Sequence, residues 1–95
     1  MSMSEISHDP DRGEFLLKKG NLKALLSYSE AGEKCLSFNT VYVDPELRGK
    51  GAAGEVTSHA LEYALSERLS VIPACPYVDT FIKRNRERYG NIAKK

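Results

Sequence analysis

Cys35 to Val43 alternates along the chain, with Leu36, Phe38, Thr40 and Tyr42 on one side and Ser37, Asn39, Val41 and Val43 on the other, which predicts a β-strand. From about Ala52 to Glu67 the period lengthens. Ala53, Val56, Ala60 and Ala64 form one stripe while Glu55, Ser58, Glu62 and Ser66 fill the opposite side, the pattern of an amphipathic helix. Upstream, the apolar runs Glu14 to Lys18 and Asn21 to Ser29 flank Lys19-Gly20-Asn21 and predict a hairpin; Ala31-Gly32-Glu33 marks the next turn. Leu69 to Ile72 is a compact apolar segment after the helix, so this strand–helix–strand unit implies parallel pairing through a right-handed crossover. A last helix is expected from about Pro76 to Tyr89. Met1 to Gly13 is polar, carries Pro10 and has no period, and is expected to be a flexible leader with His8 solvated; the domain then spans residues 14 to 95. Together these elements predict a single small α/β domain, a mixed sheet of about four strands with two main helices.

Composition narrows the choice. Ninety-five residues suffice for one core and exclude a second domain. A net charge of +1 gives no global signature for nucleic acid, so any anionic partner must be met by a local patch. The two cysteines, Cys35 and Cys75, have no metal-ligand spacing and no dense disulfide pattern, and no metal is expected. With no apolar leader core and no membrane-length window, a soluble, cytoplasmic protein is expected.

The candidate chemistry sits between strand and helix, at Arg48-Gly49-Lys50-Gly51-Ala52-Ala53. Glycines without Cβ atoms allow a tight turn, and an anion can approach bare N–H groups at the positive end of the helix. The spacing is neither that of a P-loop nor that of a dinucleotide fingerprint. It resembles the acyl-coenzyme A loop, Arg/Gln-x-x-Gly-x-Gly/Ala, of the GNAT acetyltransferase superfamily. More narrowly, Val43-Asp44-Pro45-Glu46-Leu47-Arg48-Gly49-Lys50-Gly51 joined to Val71-Ile72-Pro73-Ala74-Cys75-Pro76-Tyr77 resembles the small YidJ-type, or minimal, acetyltransferases, over roughly Leu36 to Arg84. The resemblance implies a GNAT-like core that binds acetyl-coenzyme A and transfers its acetyl group to an amine, on a protein or a small polyamine. It implies pantetheine contacts from Val41, Tyr42 and Val43, and a pyrophosphate held by Arg48, Gly49, Lys50, Gly51, Ala52, Ala53 and Gly54. Two positions depart from the family pattern: Thr40 stands where a histidine is usual, and Asn85-Arg86-Glu87-Arg88 replaces a His-Pro-Glu-Tyr ending. These departures favour the alternative, a non-catalytic acyl-coenzyme A binding or protein-interaction module.

Cys75 is a further candidate. Pro76 suits the first helical position, which places Cys75 at the N-cap, and helix N-termini favour the reactive thiolate while Asp79 one turn later opposes it. The alternative is a small buried hydrophobe. The resemblance puts this cysteine near the acetyl group, in a catalytic position. A tyrosine often serves as general acid in the family, and Tyr77 and Tyr89 are the positions that qualify, Tyr89 with core packing as its main role and its hydroxyl at the rim. His59 is expected at the helix edge, partly exposed. Lys83, Arg84, Arg86, Arg88, Lys94 and Lys95 make a basic end. It is either a solvated face or, through Lys83 or Arg84, a partner for the 3′-phosphate or pyrophosphate of coenzyme A. Nucleic acid fits poorly, since no exposed aromatics are interleaved.

Overall fold

Five strands, β1 (Glu5–Asp9), β2 (Glu14–Lys19), β3 (Leu22–Glu30), β4 (Cys35–Val43) and β5 (Ser70–Pro73), form one sheet in chain order. All neighbours are antiparallel except β4 and β5, which are parallel and joined through helix α1 (Ala52–Ser66). Helices α2 (Pro76–Arg84) and α3 (Arg86–Tyr89) follow β5. The computed structural model describes residues 5–94; Met1 to Ser4 of the expected leader and Lys95 of the basic end lie outside the described residues.

The α/β fold class holds, with five strands where about four were expected, because the segment read as a leader pairs with β2. Asp9 explains how a polar, aperiodic segment does so. Its carboxylate accepts the N–H groups of Asp11 and Arg12 at 3.1 and 3.2 Å, closing a turn with local hydrogen bonds. Gly13 then fits because a Cβ there would lie 2.3 Å from the Tyr28 carbonyl oxygen. His8 is likewise not solvated. Its ring stacks on Phe15 with centroids 4.1 Å apart, and its Nε2 lies 2.5 Å from the Tyr28 hydroxyl.

One face of the sheet carries the core. Phe15, Leu17, Ala24, Leu26, Leu36, Phe38 and Val71 pack against Val56, Ala60, Leu61 and Ala64 of α1 and Val78 and Ile82 of α2. The alternation expected along β4 is broken in the middle. Ser27 pairs with Thr40 but Tyr28 pairs with Phe38, so Asn39 is an extra residue, a β-bulge. Leu36 and Phe38 therefore share the core face with Val41 and Val43, while Thr40 and Tyr42 turn to the other face with Ser37. The single helix expected from Pro76 to Tyr89 is also divided, at Asn85 (φ −123°, ψ 40°), whose side-chain amide donates back to the Phe81 carbonyl at 2.9 Å in competition with the helical ladder. Beyond α3 the chain returns to the sheet: the Val71 N–H donates to Ile92 and the Val71 carbonyl accepts from Lys94, both at 2.7 Å, along the outer side of β5.

Candidate active site

The site begins where β4 and β5 separate. Their pairing runs from Cys35 with Ser70 to Phe38 with Pro73 and stops at the bulge, while β4 continues for five residues, Asn39 to Val43. At the vertex the Cys75 N–H donates to the Phe38 carbonyl at 3.0 Å, the last tie across the gap. The Asp44 N–H points to β3, bonding Lys23 at 2.9 Å. By the alternation of an antiparallel ladder, the backbone groups of Val41 and Val43 point the other way, into the gap. Tyr42, expected alongside them, has its backbone turned to β3. Its side chain is 44% exposed on the open face and donates to Asp44 at 2.9 Å. The Asp44 carboxylate also accepts the Lys23 N–H at 2.7 Å, and these two donors hold its pKa below the usual range. The strand end is thereby fixed.

From that end a 3-10 turn, Pro45–Leu47, leads into the glycine loop. Gly49 (φ +79°) and Gly51 (φ +82°) occupy the left-handed region, and nothing lies within 4 Å of where their Cβ atoms would be. Gly51 caps α1 without any side-chain hydrogen bond, and the first helical bond runs from the Glu55 N–H to the Gly51 carbonyl at 3.0 Å. The N–H groups ahead of Glu55 have no intrahelical acceptor. They face a cavity of about 280 Å³ lined by Val43, Arg48, Gly49, Gly51 to Gly54 and Tyr77. It is flanked by a groove of about 240 Å³ along Val41, Tyr42 and Val43, also bordered by Arg48, Ala53 and Tyr77. Arg48 donates from Nε to the Val43 carbonyl at 3.3 Å, so its cation sits between the two hollows. Lys50 is exposed and lines neither of them.

The two tyrosines of the C-terminal helices part company here. Tyr77 is 40% exposed, lines both hollows, and its hydroxyl lies 3.6 Å from where a Cβ on Gly54 would be. Burial raises its pKa and the Arg84 guanidinium opposes the rise. Tyr89 is 4% exposed and donates to Glu62 at 2.7 Å, beside Ser58 and the Arg88 guanidinium that also clasps Glu62. Those donors lower the Glu62 pKa to about 2. Tyr89 is therefore a brace between α3 and α1. Cys75 is the N-cap of α2 with Pro76 following, as its sequence context implies, and is 8% exposed; Cys35 is buried at the start of β4. His59 is exposed on α1 with its ring centroid 6.0 Å from that of Phe15.

Lys83 and Arg84 line neither hollow beside the glycine loop, although Arg84 acts on Tyr77, which does. Both line a separate depression of about 580 Å³ with Arg86, Glu87 and Arg88, and Lys83 pairs with Asp79 at 3.0 Å. A still larger hollow, about 640 Å³, lies at the far end of the sheet between the β1–β2 turn and the end of α1; its lining mixes Arg12 and Lys34 with Asp11, Glu30 and Glu67 and favours no one charge. Among the described residues no cluster of three or more His, Cys, Asp or Glu could hold a metal. No described helix is long and apolar enough to cross a membrane. The Asn39 bulge is the feature that alternation missed, although the shift of apolar positions from 36 and 38 to 41 and 43 is its signal.

Known proteins resemble this chain in sequence or in fold. Protein NATD1 of Xenopus tropicalis is 26% identical over 86 residues, covering 88% of this chain and 79% of its own length. The human NATD1 is 26% identical over 82 residues, covering 84% and 73%. The NMR solution structure of a GCN5-like protein from Staphylococcus aureus has the same fold, with a TM-score of 0.75 at 20% identity over 99% of this chain and 91% of that one. The family model described as GCN5-related N-acetyl-transferase matches residues 14–92, which take in β2 to β5, the glycine loop and all three helices. By that match the chain belongs to the GCN5-related N-acetyl-transferase family.

Proposed function

We propose that the protein is a minimal, YidJ-type acetyltransferase that binds acetyl-coenzyme A between β4, β5 and the start of α1 and acetylates an amine. The observation that carries this reading is the continuity of the opened strand pair with an open helix N-terminus: backbone groups of Val41 and Val43 lead to the free N–H groups around Gly51. A chain of amides ending in a pyrophosphate needs that sequence of partners. Acetyl-coenzyme A supplies an activated acetyl thioester. Val41 and Val43 would bind the pantetheine amides, the N–H groups from Gly51 to Gly54 would hold the pyrophosphate, and Arg48 would add a cation beside it. Cys75, at the vertex, would lie next to the acetyl group. Tyr77 holds its hydroxyl over Gly54, at the pyrophosphate end of the cavity, where it is placed to donate a hydrogen bond to a phosphate oxygen; the coenzyme sulfur leaves at the Cys75 end and takes its proton from water. The acceptor amine arrives neutral and releases its proton to water, since Thr40 offers no base. Orientation and carbonyl polarisation would supply most of the acceleration. The acceptor is an amine on a protein or a polyamine, and the setting is cytoplasmic.

Acetyl-coenzyme A at ~100 times its Kd should stabilise the fold by ~2.7 kcal/mol. Gly51→Val should abolish this shift, because a branched side chain neither adopts the left-handed conformation nor leaves the cradle open. A wild-type chain with no thermal shift at millimolar acetyl-coenzyme A, beside a responding control acetyltransferase, overturns the binding site. Binding without acetylation of any amine in a panel followed by mass spectrometry leaves a coenzyme-binding module. Cys75→Ala tests a covalent route: near-complete loss of turnover with binding kept assigns transfer through an acetyl-cysteine, and retained turnover assigns direct attack. For Arg84, which shares a stripe of α2 with Tyr77 and Phe81, Arg84→Ala should weaken coenzyme A more than dephospho-coenzyme A if it meets the 3′-phosphate. Lys83, tied to Asp79, should matter less.

A further inference from the structure

All three helices lie on one face of the sheet, and among the described residues no element covers the other. Across that open face the register aligns Ser7, Leu16, Leu25 and Tyr42 in one row over four adjacent strands. Leu16 and Leu25 stand outside the core cluster, so the row is an apolar strip separate from the interior. Two charged rows flank it. On one side lie Glu5, Lys18, Lys23 and Asp44, and on the other Asp9, Glu14, Ser27 and Thr40.

We propose that this face is a self-association surface whose occupant is a second copy of the chain, related by a two-fold axis that lies along the row. Rotation about that axis sets Leu16, Leu25 and Tyr42 each against its own counterpart. It exchanges the flanking rows, so Lys18 of each copy faces Glu14 of the other and Lys23 faces Ser27. The two-fold symmetry makes each favourable pair occur twice. Glu5 then faces Asp9, a like-charge contact that falls on the exposed edge strand, where water screens it. Pairing edge to edge through β1 is the poorer alternative, because an antiparallel match centred on Ser7 sets Glu5 against Asp9 at both ends of a five-residue contact. Five strands about six residues long give a footprint of roughly 450 Å² per copy, about 900 Å² in all, well under the standard interface of roughly 1,600 Å². The dimer is therefore weak and concentration-dependent. Tyr42 also lines the groove along β4, so the second copy borders the site described above.

Sedimentation equilibrium from about 10 µM to about 1 mM covers the range that such an area predicts. The mass should climb from 10.6 kDa towards twice that value. Leu25→Glu should hold it at the monomer. Lys18→Glu alone and Glu14→Lys alone should each weaken association about tenfold or more, since each reverses two facing charges. The double variant Lys18→Glu with Glu14→Lys should restore it, an outcome that a folding defect could not give. A wild-type mass that stays at the monomer through about 1 mM overturns the proposal. A double variant as monomeric as the single ones also overturns it.

Discussion

The start of α1 and its middle are built from the same helix in opposite ways. Around Gly51 the backbone donors have no side-chain cap, the glycines leave open space, and Tyr77 reaches over Gly54 with its hydroxyl in a cavity. Three turns later Glu62 is gripped by Tyr89 and Arg88, with Ser58 beside them. At one end polar groups are left free for a ligand, and at the other they are consumed in holding α3 to α1. Stability and chemistry are thus separated along a single element, and two tyrosines on adjoining helices take different sides of the division.

Exchanging the hydroxyls tests this separation most sharply. Tyr77→Phe should weaken acetyl-coenzyme A binding by about 10-fold or more, the loss of a hydrogen bond to a charged group, with almost no change in the Tm of the free protein. A Tyr77→Phe protein with near-wild-type affinity for the coenzyme would remove this residue from the site. Tyr89→Phe should do the reverse. Losing a buried hydroxyl donor to a carboxylate should cost about 1–2 kcal/mol, a Tm fall of roughly 4–16 °C in a domain of this size, with acetyl-coenzyme A affinity kept. Scanning calorimetry with and without the coenzyme reads both quantities.

Smaller effects come from pH. Burial lowers the His8 pKa below its ordinary 6.5, the charge of His59 adds to this, and Asp9 opposes it. The group is depressed on folding, so the folded state favours neutral imidazole: stability is complete well above pH 6.5 and declines as pH falls through and below it. Urea unfolding should show this decline, and His8→Gln should flatten it while lowering stability at neutral pH through loss of the ring's stack on Phe15. The smallest effect belongs to Glu62. Its pKa is lowered from 4.5 to about 2, so its contribution is present above pH 4.5 and fades as pH falls towards 2. Because the pair with Arg88 is solvent-exposed, salt should shrink that acid-side slope, and Glu62→Gln should remove it.

Much of this was legible in residue order. Gly20 and the apolar runs around it gave the β2–β3 hairpin, the 3.6-residue stripe gave α1 within a residue, and Pro76 fixed the start of α2 with Cys75 as its cap. The glycines of the loop pointed to a tight turn at the start of α1, which Gly49 and Gly51 make with positive φ. What escaped depended on contacts distant in sequence. Strand β1 is polar and edge-like, and only its pairing with β2 and the fit of His8 over Phe15 reveal it. The Asn39 bulge is visible only as a change of phase, which a fixed two-residue alternation averages away.

The strand order carries a kinetic consequence. Each of β1 to β4 pairs with the strand that precedes or follows it in the chain, so the antiparallel part of the sheet closes through short loops alone. Only the β4–β5 pair must wait for an intervening helix to form and dock. Loop closure across that crossover is the costly step, and chains dominated by local closures fold faster than those dominated by distant ones. The meander should therefore assemble first, and the opened strand pair, together with the hollow beside it, should be the last part of the molecule to come into being.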